Sequence, residues 1–320
     1  MGIQWRPMRP KDVRACAEII AAHPVNGARY RDEIGHLYKV WLGLLGREAF
    51  RAVVIESVDA SQRSEVIGVG VSAFVSDAFL THLKTPPYRW VGPELLRRIV
   101  RGDDPLLSDQ QVRHANAQGG LNLLTWEGAL SRDFLNRPEA HTAVFSAFVD
   151  QHRGFLLKEM IGHGMSEELL EGTLRSGASL LDSAGHYTDT PDRPIREIFA
   201  LPHYIGMTRE LALSRVGSWV ASLFIYEAPR FDFRPSEQRL LLTALHGGTD
   251  EELSDKLGIS LSAVKKAWGL IYDRVAAHLP GFSSNHDGSS DGISERGKEK
   301  KQRLLKYLRD HPEELRPASP

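Results

Sequence analysis

Two β-type runs separated by a short polar turn constrain the fold of this chain most strongly. Residues 49–58 read AFRAVVIESV and residues 64–76 read SEVIGVGVSAFVS, with DASQR between them. β-branched and aromatic residues favour strands, and a polar connection of this length is typical of a hairpin. The sequence therefore predicts two antiparallel strands joined by residues 59–63.

Helical and strand patterns alternate around this hairpin. The segment 3–24 predicts a strand, a turn and an amphipathic helix, because Val13, Cys16 and Ile20 recur at helical spacing and Pro24 ends the run. Further along the chain, LNLLTWEGAL at 121–130 and HTAVFSAFV at 141–149 predict two more strands, and FLLKEMIGHG at 155–164 predicts a helix closed by glycine. We expect an α/β (α+β) domain over residues 1–205.

Composition and charge restrict the cell compartment and the binding partners that fit this chain. The net charge of −1 argues against a surface coated for nucleic acid or membrane binding, and 42% hydrophobic residues in 320 suffice for two domains. Cys16 is the only cysteine, which excludes a disulfide within the chain and fits a reducing compartment. With no signal-peptide pattern and no apolar run of about 18 residues, we expect a cytoplasmic protein and no membrane partner.

The sequence becomes helical after the proline-interrupted passage 187–204. Residues 207–229 predict one long helix capped by Thr208, which would serve as a connector within 206–232. Helical periods continue over 233–280. The Gly/Ser/Asp-rich segment 281–297 predicts a flexible linker, and 298–320 a basic C-terminal helix and tail.

Residues 249–275 predict two helices joined by a tight turn. Thr249 and Glu252 have the spacing of a capping box, and Gly258 supplies the left-handed residue of the turn. Ser260 caps the second helix, whose buried stripe comprises Leu261, Val264, Trp268, Ile271 and Val275. Its opposite face carries Ser262, Lys265, Lys266 and Gly269, which suits a helix that enters a DNA major groove.

Residues 233–275 resemble the LuxR/NarL-type helix-turn-helix module in an ungapped register. Matching positions include Pro235, Glu237, Gly247, Leu253, Leu257, Ile259, Val264, Lys265, Ile271 and Tyr272. The resemblance implies an all-α helix-turn-helix domain of three or four helices, with double-stranded DNA as partner. The implied DNA contacts are Ser260, Ser262, Lys265, Lys266 and Arg274.

The sequence also departs from that family. Arg234 replaces the usual threonine cap, Asp250 and Glu251 replace Asn and Lys, and Ala267 replaces a histidine. Acidic and basic residues balance over 233–280, which weakens DNA affinity because phosphate neutralisation supplies most of it. No dimer-forming helix follows directly, so in a homodimer the basic C-terminal helix would have to replace it.

The element order of the N-terminal half resembles the GNAT acetyltransferase fold. That family's signature R/Q-x-x-G-x-G/A lies between a strand and a helix, where backbone N–H groups bind the pyrophosphate of an acyl-CoA. The nearest match is Gln151, Arg153 and Gly154, with the bulky Leu156 at the last position. The resemblance implies acetyl-CoA or another acyl-CoA as a cofactor of this domain.

Acetyl transfer needs a general base, for which Glu127 and His152 are candidates, and an acid, for which Tyr187 and Tyr204 are candidates. None of the four lies in a motif, and no metal-ligand spacing is present. The sequence favours a cytoplasmic bacterial transcriptional regulator whose GNAT-like domain senses a small molecule. The alternative is a GNAT-family N-acetyltransferase with an appended helical docking domain.

Overall fold

The computed structural model describes residues 2–317 except 32, 62, 183, 190, 216, 280–281 and 283–292, with only the backbone at 293–298. The chain divides into two compact units, Met1–Ile225 and Tyr226–Pro320. The first unit is built around a β-sheet and the second is helical.

One eight-stranded sheet, in the order β1-β2-β3-β4-β5-β8-β6-β7, organises the first unit. Its strands are β1 Gly2–Pro7, β2 Phe50–Val58, β3 Ser64–Val75, β4 Leu121–Leu130, β5 Leu157–Gly162, β6 Ser179–Leu181, β7 Tyr187–Thr188 and β8 Ile205–Thr208. All neighbouring strands are antiparallel except β4 and β5, which are parallel. The predicted hairpin is confirmed as β2 and β3, and the strand predicted at 121–130 is confirmed as β4.

Eleven helices of the described chain accompany this sheet. They are α1 Val13–Ala22, α2 Pro24–Tyr30, α3 Ile34–Leu44, α4 Asp77–Lys84, α5 Val91–Val100, α6 Asp109–Ala117, α7 Pro138–His152, α8 Glu167–Arg175, α9 Ile195–Ala200, α10 Arg209–Ser214 and α11 Trp219–Ser222. Short 3₁₀ turns lie at Pro10–Asp12 and Arg132–Phe134.

The two faces of the sheet carry different helices. On β2, Val54 belongs to the large core beneath α1, α3 and α5, whereas Val53 and Ile55 pack with the alanines of α7. Successive side chains of a strand point to opposite faces, so α7 covers the face opposite α1, α3 and α5. The small Ala140, Ala143 and Ala147 let α7 lie close to the sheet.

A β-bulge in β4 changes the direction of its side chains. Val71 of β3 pairs with Glu127 and Ser72 pairs with Thr125, which leaves Trp126 as the extra residue. The indole of Trp126 lies edge-on to Trp41 and donates its Nε1–H to the hydroxyl of Tyr30. Glu127 therefore stays paired with Val71 directly after the extra residue of the bulge.

Two predictions around β5 are wrong. Residues 141–149 belong to helix α7, because their buried alanines recur at helical spacing and Pro138 occupies the first turn. Residues 157–162 form strand β5, which lies between β4 and β8 and is buried except at Lys158. A segment of six residues is too short for its hydrophobic period to distinguish a buried strand from a buried helix.

The long connector helix predicted at 207–229 is also wrong. The segment contributes β8 to the sheet and then forms the short helices α10 and α11. Gly217 between them has φ of 89°, a conformation that ends a helix. Thr208 does cap α10, since its side chain accepts a hydrogen bond from the Leu211 N–H.

The second unit contains α12 Pro235–Leu245, α13 Asp250–Leu257, α14 Leu261–His278 and α15 Ile293–Asp310, followed by a 3₁₀ turn at Pro312–Leu315. The predicted capping box of Thr249 and Glu252 is present, and Gly258 has φ of 65°. The buried stripe of α14 comprises Val264, Trp268, Ile271 and Val275. Helix α15 includes the end of the predicted linker, of which residues 283–292 lie outside the described part.

The predicted basic helix packs into this second unit. Leu304, Leu305 and Leu308 of α15 are buried with the core of α12, α13 and α14. Lys301 Nζ lies 2.9 Å from Asp250 Oδ1, so one of its cations is paired with the acidic first turn of α13. Among the helices of the described residues, none is long and apolar enough to cross a membrane.

The buried indole of Trp268 predicts a large loss of stability on truncation. Trp268 is only 4% exposed. We expect Trp268→Ala to lower the free energy of unfolding of the second unit by about 3–5 kcal/mol, measured by urea denaturation. Leu270→Ala on the same helix is the matched control, because Leu270 is 47% exposed and its truncation should change stability by less than about 1 kcal/mol. Equal effects of the two substitutions would contradict this core assignment.

Candidate functional site

Strands β4 and β5 pair along only part of their length. The parallel register runs from Leu121 with Leu157 to Leu124 with Ile161. At the end of this ladder the Thr125 hydroxyl donates to the Ile161 carbonyl at 3.3 Å. A Cβ at the next residue, Gly162, would lie 1.6 Å from Thr125 Oγ1, so only glycine permits this approach. β4 continues to Leu130 without β5 beside it, which opens a gap in the sheet.

A cavity of about 140 Å³ lies at this gap. Strands β2, β3 and β4 form one wall, α7 covers it, and β5, α8, β8 and α11 form the other side. The lining is mostly apolar and includes Val53, Val144, Phe148, Met160, Leu169 and Val220. Phe145 of α7 and Trp219 of α11 meet edge-to-face over it, with ring centroids 5.5 Å apart. The cavity is therefore an apolar slot whose polar groups are few.

Glu127 is the carboxylate in this slot. It is 6% exposed and lies at the β4 bulge. Oε1 accepts hydrogen bonds from Asn26 Nδ2 at 2.8 Å and from the Gly128 N–H at 3.2 Å, while Oε2 is buried without a hydrogen bond of normal geometry. Burial raises the pKa of Glu127 to about 7, against the lowering effects of the Gly128 N–H, Arg29 and Tyr30. A carboxyl group with this pKa can take up and release a proton near neutral pH.

His163 faces Glu127 across the gap. It follows Gly162 at the end of β5, lines the cavity, and places Nε2 at 4.0 Å from Glu127 Oε1. Both of its ring nitrogens are buried without a hydrogen bond. Burial holds the pKa of His163 well below its ordinary value, so the imidazole is neutral at pH 7. Such unsatisfied polar atoms beside a cavity are the groups that a bound molecule would contact.

The four candidate bases and acids predicted from the sequence differ in whether they line the cavity and in which groups they are bonded to. His152 lines the cavity, but its Nε2 lies 2.6 Å from Ser72 Oγ and its Nδ1 lies 2.7 Å from the Phe148 carbonyl. A carbonyl only accepts, so Nδ1 carries the proton and Nε2 accepts from Ser72. Tyr187 donates to Glu159 Oε1 at 2.6 Å, and Tyr204 donates to the Arg89 carbonyl at 2.6 Å. Of the four candidates, only Glu127 lines the cavity and has an oxygen, Oε2, without a well-aligned hydrogen bond among the described residues, although the Tyr30 hydroxyl is near enough to lower its pKa.

The residues predicted to contact the pyrophosphate lie in a different secondary-structure context from the predicted one. Gln151, Arg153 and Gly154 lie at the C-terminal end of α7, not between a strand and a helix start. The C-terminal end of a helix presents carbonyl groups and partial negative charge, which do not bind an anion. The strand-to-helix context of this prediction is therefore wrong, although Gln151 does line the cavity.

The residues predicted to contact DNA all lie on or beside α14. Ser260 caps the helix by accepting from the Ala263 N–H. Ser262, Lys265 and Lys266 are exposed, whereas Arg274 is partly buried with Nε 3.3 Å from Glu237 Oε2. Arg274 is therefore held within the second unit by an ion pair.

Three groups of this site were not found from the sequence: His163, Asn26 and Arg29. His163 is one of 13 histidines and has no distinctive spacing. Asn26 and Arg29 lie on α2, about a hundred residues before Glu127, and meet it only through the fold. The glycines around His163 were the only local signal, since a close backbone approach needs them.

No family model matches the chain, and no curated protein matches it. Among solved structures, an acetyltransferase from Corynebacterium glutamicum described as a histone acetyltransferase and related acetyltransferase is 12% identical, with a TM-score of 0.36 over 64% of this chain and 95% of that one. A GNAT-family acetyltransferase from Staphylococcus aureus is 7% identical, with a TM-score of 0.33 over 65% and 99%. AAC(6')-Ib in complex with ribostamycin and coenzyme A is 13% identical, with a TM-score of 0.33 over 68% and 99%.

The first unit has a GNAT-like α/β fold. Four antiparallel strands lead into a parallel β4–β5 pair that separates halfway, and a helix covers each face of the sheet at that point. This confirms the fold predicted for the N-terminal part, and the second unit adds further helices.

The prediction of a DNA-binding transcriptional regulator is wrong. No family model of a DNA-binding regulator matches the chain, and the three solved structures described above are acetyltransferases. Buried polar groups and an apolar cavity occur together in the first unit, whereas in the second unit Arg274, one of the predicted DNA contacts, is paired with Glu237. The alternative, an acetyltransferase with an appended helical unit, fits these observations better.

The raised pKa of Glu127 makes stability depend on pH. The pKa rises from an ordinary value of 4.5 to about 7 on folding, so the folded chain keeps a proton that the unfolded chain has released. The free energy of unfolding should therefore fall by about 3 kcal/mol as pH rises through this window. Glu127→Gln should remove this fall, as measured by urea denaturation of both proteins at pH 4.5 and 7.5.

The exposed Glu18 is the matched control for that measurement. Between the two pH values, the free energy of unfolding of Glu18→Gln should change by the same amount as that of the parent. If the difference in free energy of unfolding between the parent and Glu127→Gln is the same at both pH values, burial does not perturb the pKa of Glu127.

Proposed function

We propose that this protein is an acyltransferase that moves an acyl group from an acyl-CoA thioester to the nitrogen of an acceptor. The observation that carries the proposal is Glu127, a buried carboxyl with a pKa of about 7 in an apolar slot at the gap between β4 and β5. Acetyltransferases resemble this chain in fold, and the solved AAC(6')-Ib structure contains coenzyme A.

The residues of the slot fit an acyl-CoA at its reactive end. The narrow apolar walls suit the uncharged arm that carries the thioester, and the unsatisfied atoms of Glu127 and His163 lie where a reacting group would need partners. The strand-to-helix connection from β4 to α7, two elements that line the slot, carries the exposed Arg132 and Arg137. These arginines and the N-terminal end of α7 would bind the phosphates. The glycines of the family's signature are not present in this connection.

An acyl-CoA would supply an activated acyl group, which forms a bond to the acceptor nitrogen as the carbon–sulfur bond breaks. Glu127 Oε2 accepts the proton that leaves this nitrogen. The resulting carboxylic acid has a pKa of about 7, below the roughly 8.5 of an ordinary thiol, so it can return the proton to the departing sulfur. Asn26 and the Gly128 N–H hold the other oxygen and thereby orient Oε2.

Acyl transfer is tested by thiol release from acetyl-CoA and longer acyl-CoAs in the presence of a panel of amines. Glu127→Gln should lower kcat by about 10²–10⁴-fold, because it removes the proton acceptor and keeps the size of the side chain. Glu18→Gln should leave kcat unchanged. Since the deprotonated carboxylate is the active form, kcat/KM of the parent should rise with pH up to about 7 and then level off. Thiol release that is equally fast in Glu127→Gln would overturn the assignment of the base.

A further inference from the structure

Arg29 is a cation beside the site that forms no direct ion pair with another described residue. It lies on α2 and donates from Nη1 to the Gly164 carbonyl at 2.9 Å, while Nη2 is buried without a hydrogen bond. Within the described part of the chain Arg29 makes no ion pair. Buried charges in proteins are ordinarily paired, and a guanidinium prefers a carboxylate as its partner.

Aromatic rings hold Arg29 in place. Its guanidinium carbon lies 3.8 Å from the ring centre of Trp90 and 5.1 Å from that of Phe199. Rings on two elements therefore restrict the guanidinium plane while leaving Nη2 without a partner. Such a preorganised guanidinium loses little conformational freedom when it binds a ligand.

The neighbouring histidines do not add positive charge. Burial lowers the pKa of His23, that of His163 and, to about 4, that of His203. The His203 ring is also fixed, because Nε2 accepts from the Gly164 N–H and Nδ1 donates to the Leu201 carbonyl. At neutral pH Arg29 is thus the cation of this cluster.

Arg29 and Glu127 are close enough to influence each other. The positive charge of Arg29 lowers the pKa of Glu127, and the negative charge of Glu127 raises that of Arg29, although burial is the larger effect on both. Gly164, the hydrogen-bond partner of Arg29, lines the same cavity as Glu127 and His163. Arg29 itself does not line the cavity, but it lies one turn of α2 after Asn26, whose side chain donates to Glu127, and it is bonded to Gly164 at the cavity wall.

We propose that the acyl acceptor is an amino acid, whose amine is deprotonated by Glu127 and whose carboxylate pairs with Arg29 Nη2. The inference rests on the proposed acyl transfer. An α-amino acid carries its two charged groups on one carbon, which matches a carboxylate in the cavity and a guanidinium directly behind the cavity wall at Gly164. The ammonium first gives one proton to solvent through Glu127. The neutral nitrogen then gains the acyl group as the carbon–sulfur bond breaks, its second proton passes through Glu127 to the departing sulfur, and the carboxylate stays intact.

The test compares each amino acid with the amine that lacks its carboxylate. The full chain is assayed with acetyl-CoA and the twenty proteinogenic amino acids, and the best acceptors are matched with their decarboxylated amines, for example L-leucine with 3-methylbutylamine. We expect kcat/KM to favour the amino acid by about 30-fold or more, the effect of one charged hydrogen-bonded pair. Arg29→Met should lower kcat/KM for the amino acid by the same factor and change that for the amine by less than about threefold.

Arg31→Met is the control variant, because Arg31 is exposed and lies one residue beyond the end of α2. It should keep the preference of the parent. Equal use of amino acid and amine by the parent, or an equal loss of both in Arg29→Met, would overturn the carboxylate site and leave the acyltransferase proposal intact.

A chain that acylates no amine, with parent and Glu127→Gln equally inactive, would overturn the proposed function instead. The carboxylate site is then judged by calorimetric titration of the full chain with the same amino acids and amines. Binding of an amino acid that is lost in Arg29→Met and kept in Arg31→Met would support the site. No binding, or binding that is independent of Arg29, would overturn it.

Discussion

The separation of β4 from β5 is the constraint on which the first unit depends. A fully paired sheet would satisfy its backbone groups and leave no space inside, whereas here the ladder stops at Leu124 and Ile161. Two local features hold the strands in this arrangement: Gly162, which admits the Thr125 hydroxyl at the last point of contact, and the bulge at Trp126, which turns β4 away from a regular ladder. The cavity, the position of Glu127 and the facing position of His163 all follow from this one interruption.

Burial then gives these groups their chemistry. An ionised carboxylate loses its hydration in an apolar slot, and Glu127 has no full ion pair to compensate for this loss. Its pKa therefore rises to about 7. The same desolvation keeps His163 and His203 neutral and lowers the pKa of Arg29 to about 10, so that Arg29 remains the cation of this cluster at neutral pH. These costs lower the stability of the fold, and a structure retains such unsatisfied groups where a ligand completes them.

The sequence predicted those parts of the fold that are determined by local patterns. The hairpin of β2 and β3, strand β4 and the caps at Thr249 and Gly258 follow from alternation, capping spacing and turn chemistry. Helix α7 and strand β5 were exchanged because the apolar stretch within α7 is rich in β-branched and aromatic residues and β5 has only six residues, so packing in the centre of the unit decides which structure each adopts. Glu127 could be proposed as a base, but Arg29 and Asn26 reach it from α2 through tertiary contacts that no spacing reveals. The helix-turn-helix pattern described how α13 and α14 pack, and packing alone does not establish what an exposed face binds.

Recognition of the acceptor and activation of its nitrogen would be coupled through Arg29. In the free protein the positive charge of Arg29 lowers the pKa of Glu127 and makes the carboxylate a weaker base. A carboxylate bound at Nη2 would offset that charge, so the pKa of Glu127 would rise and its affinity for the acceptor's proton would increase. An amine without a carboxylate could enter the same cavity, but it would leave Arg29 unpaired and Glu127 at its lower basicity. The preference for an amino acid over an amine would then have two sources, tighter binding and easier proton transfer to Glu127. Both depend on the charge of Arg29.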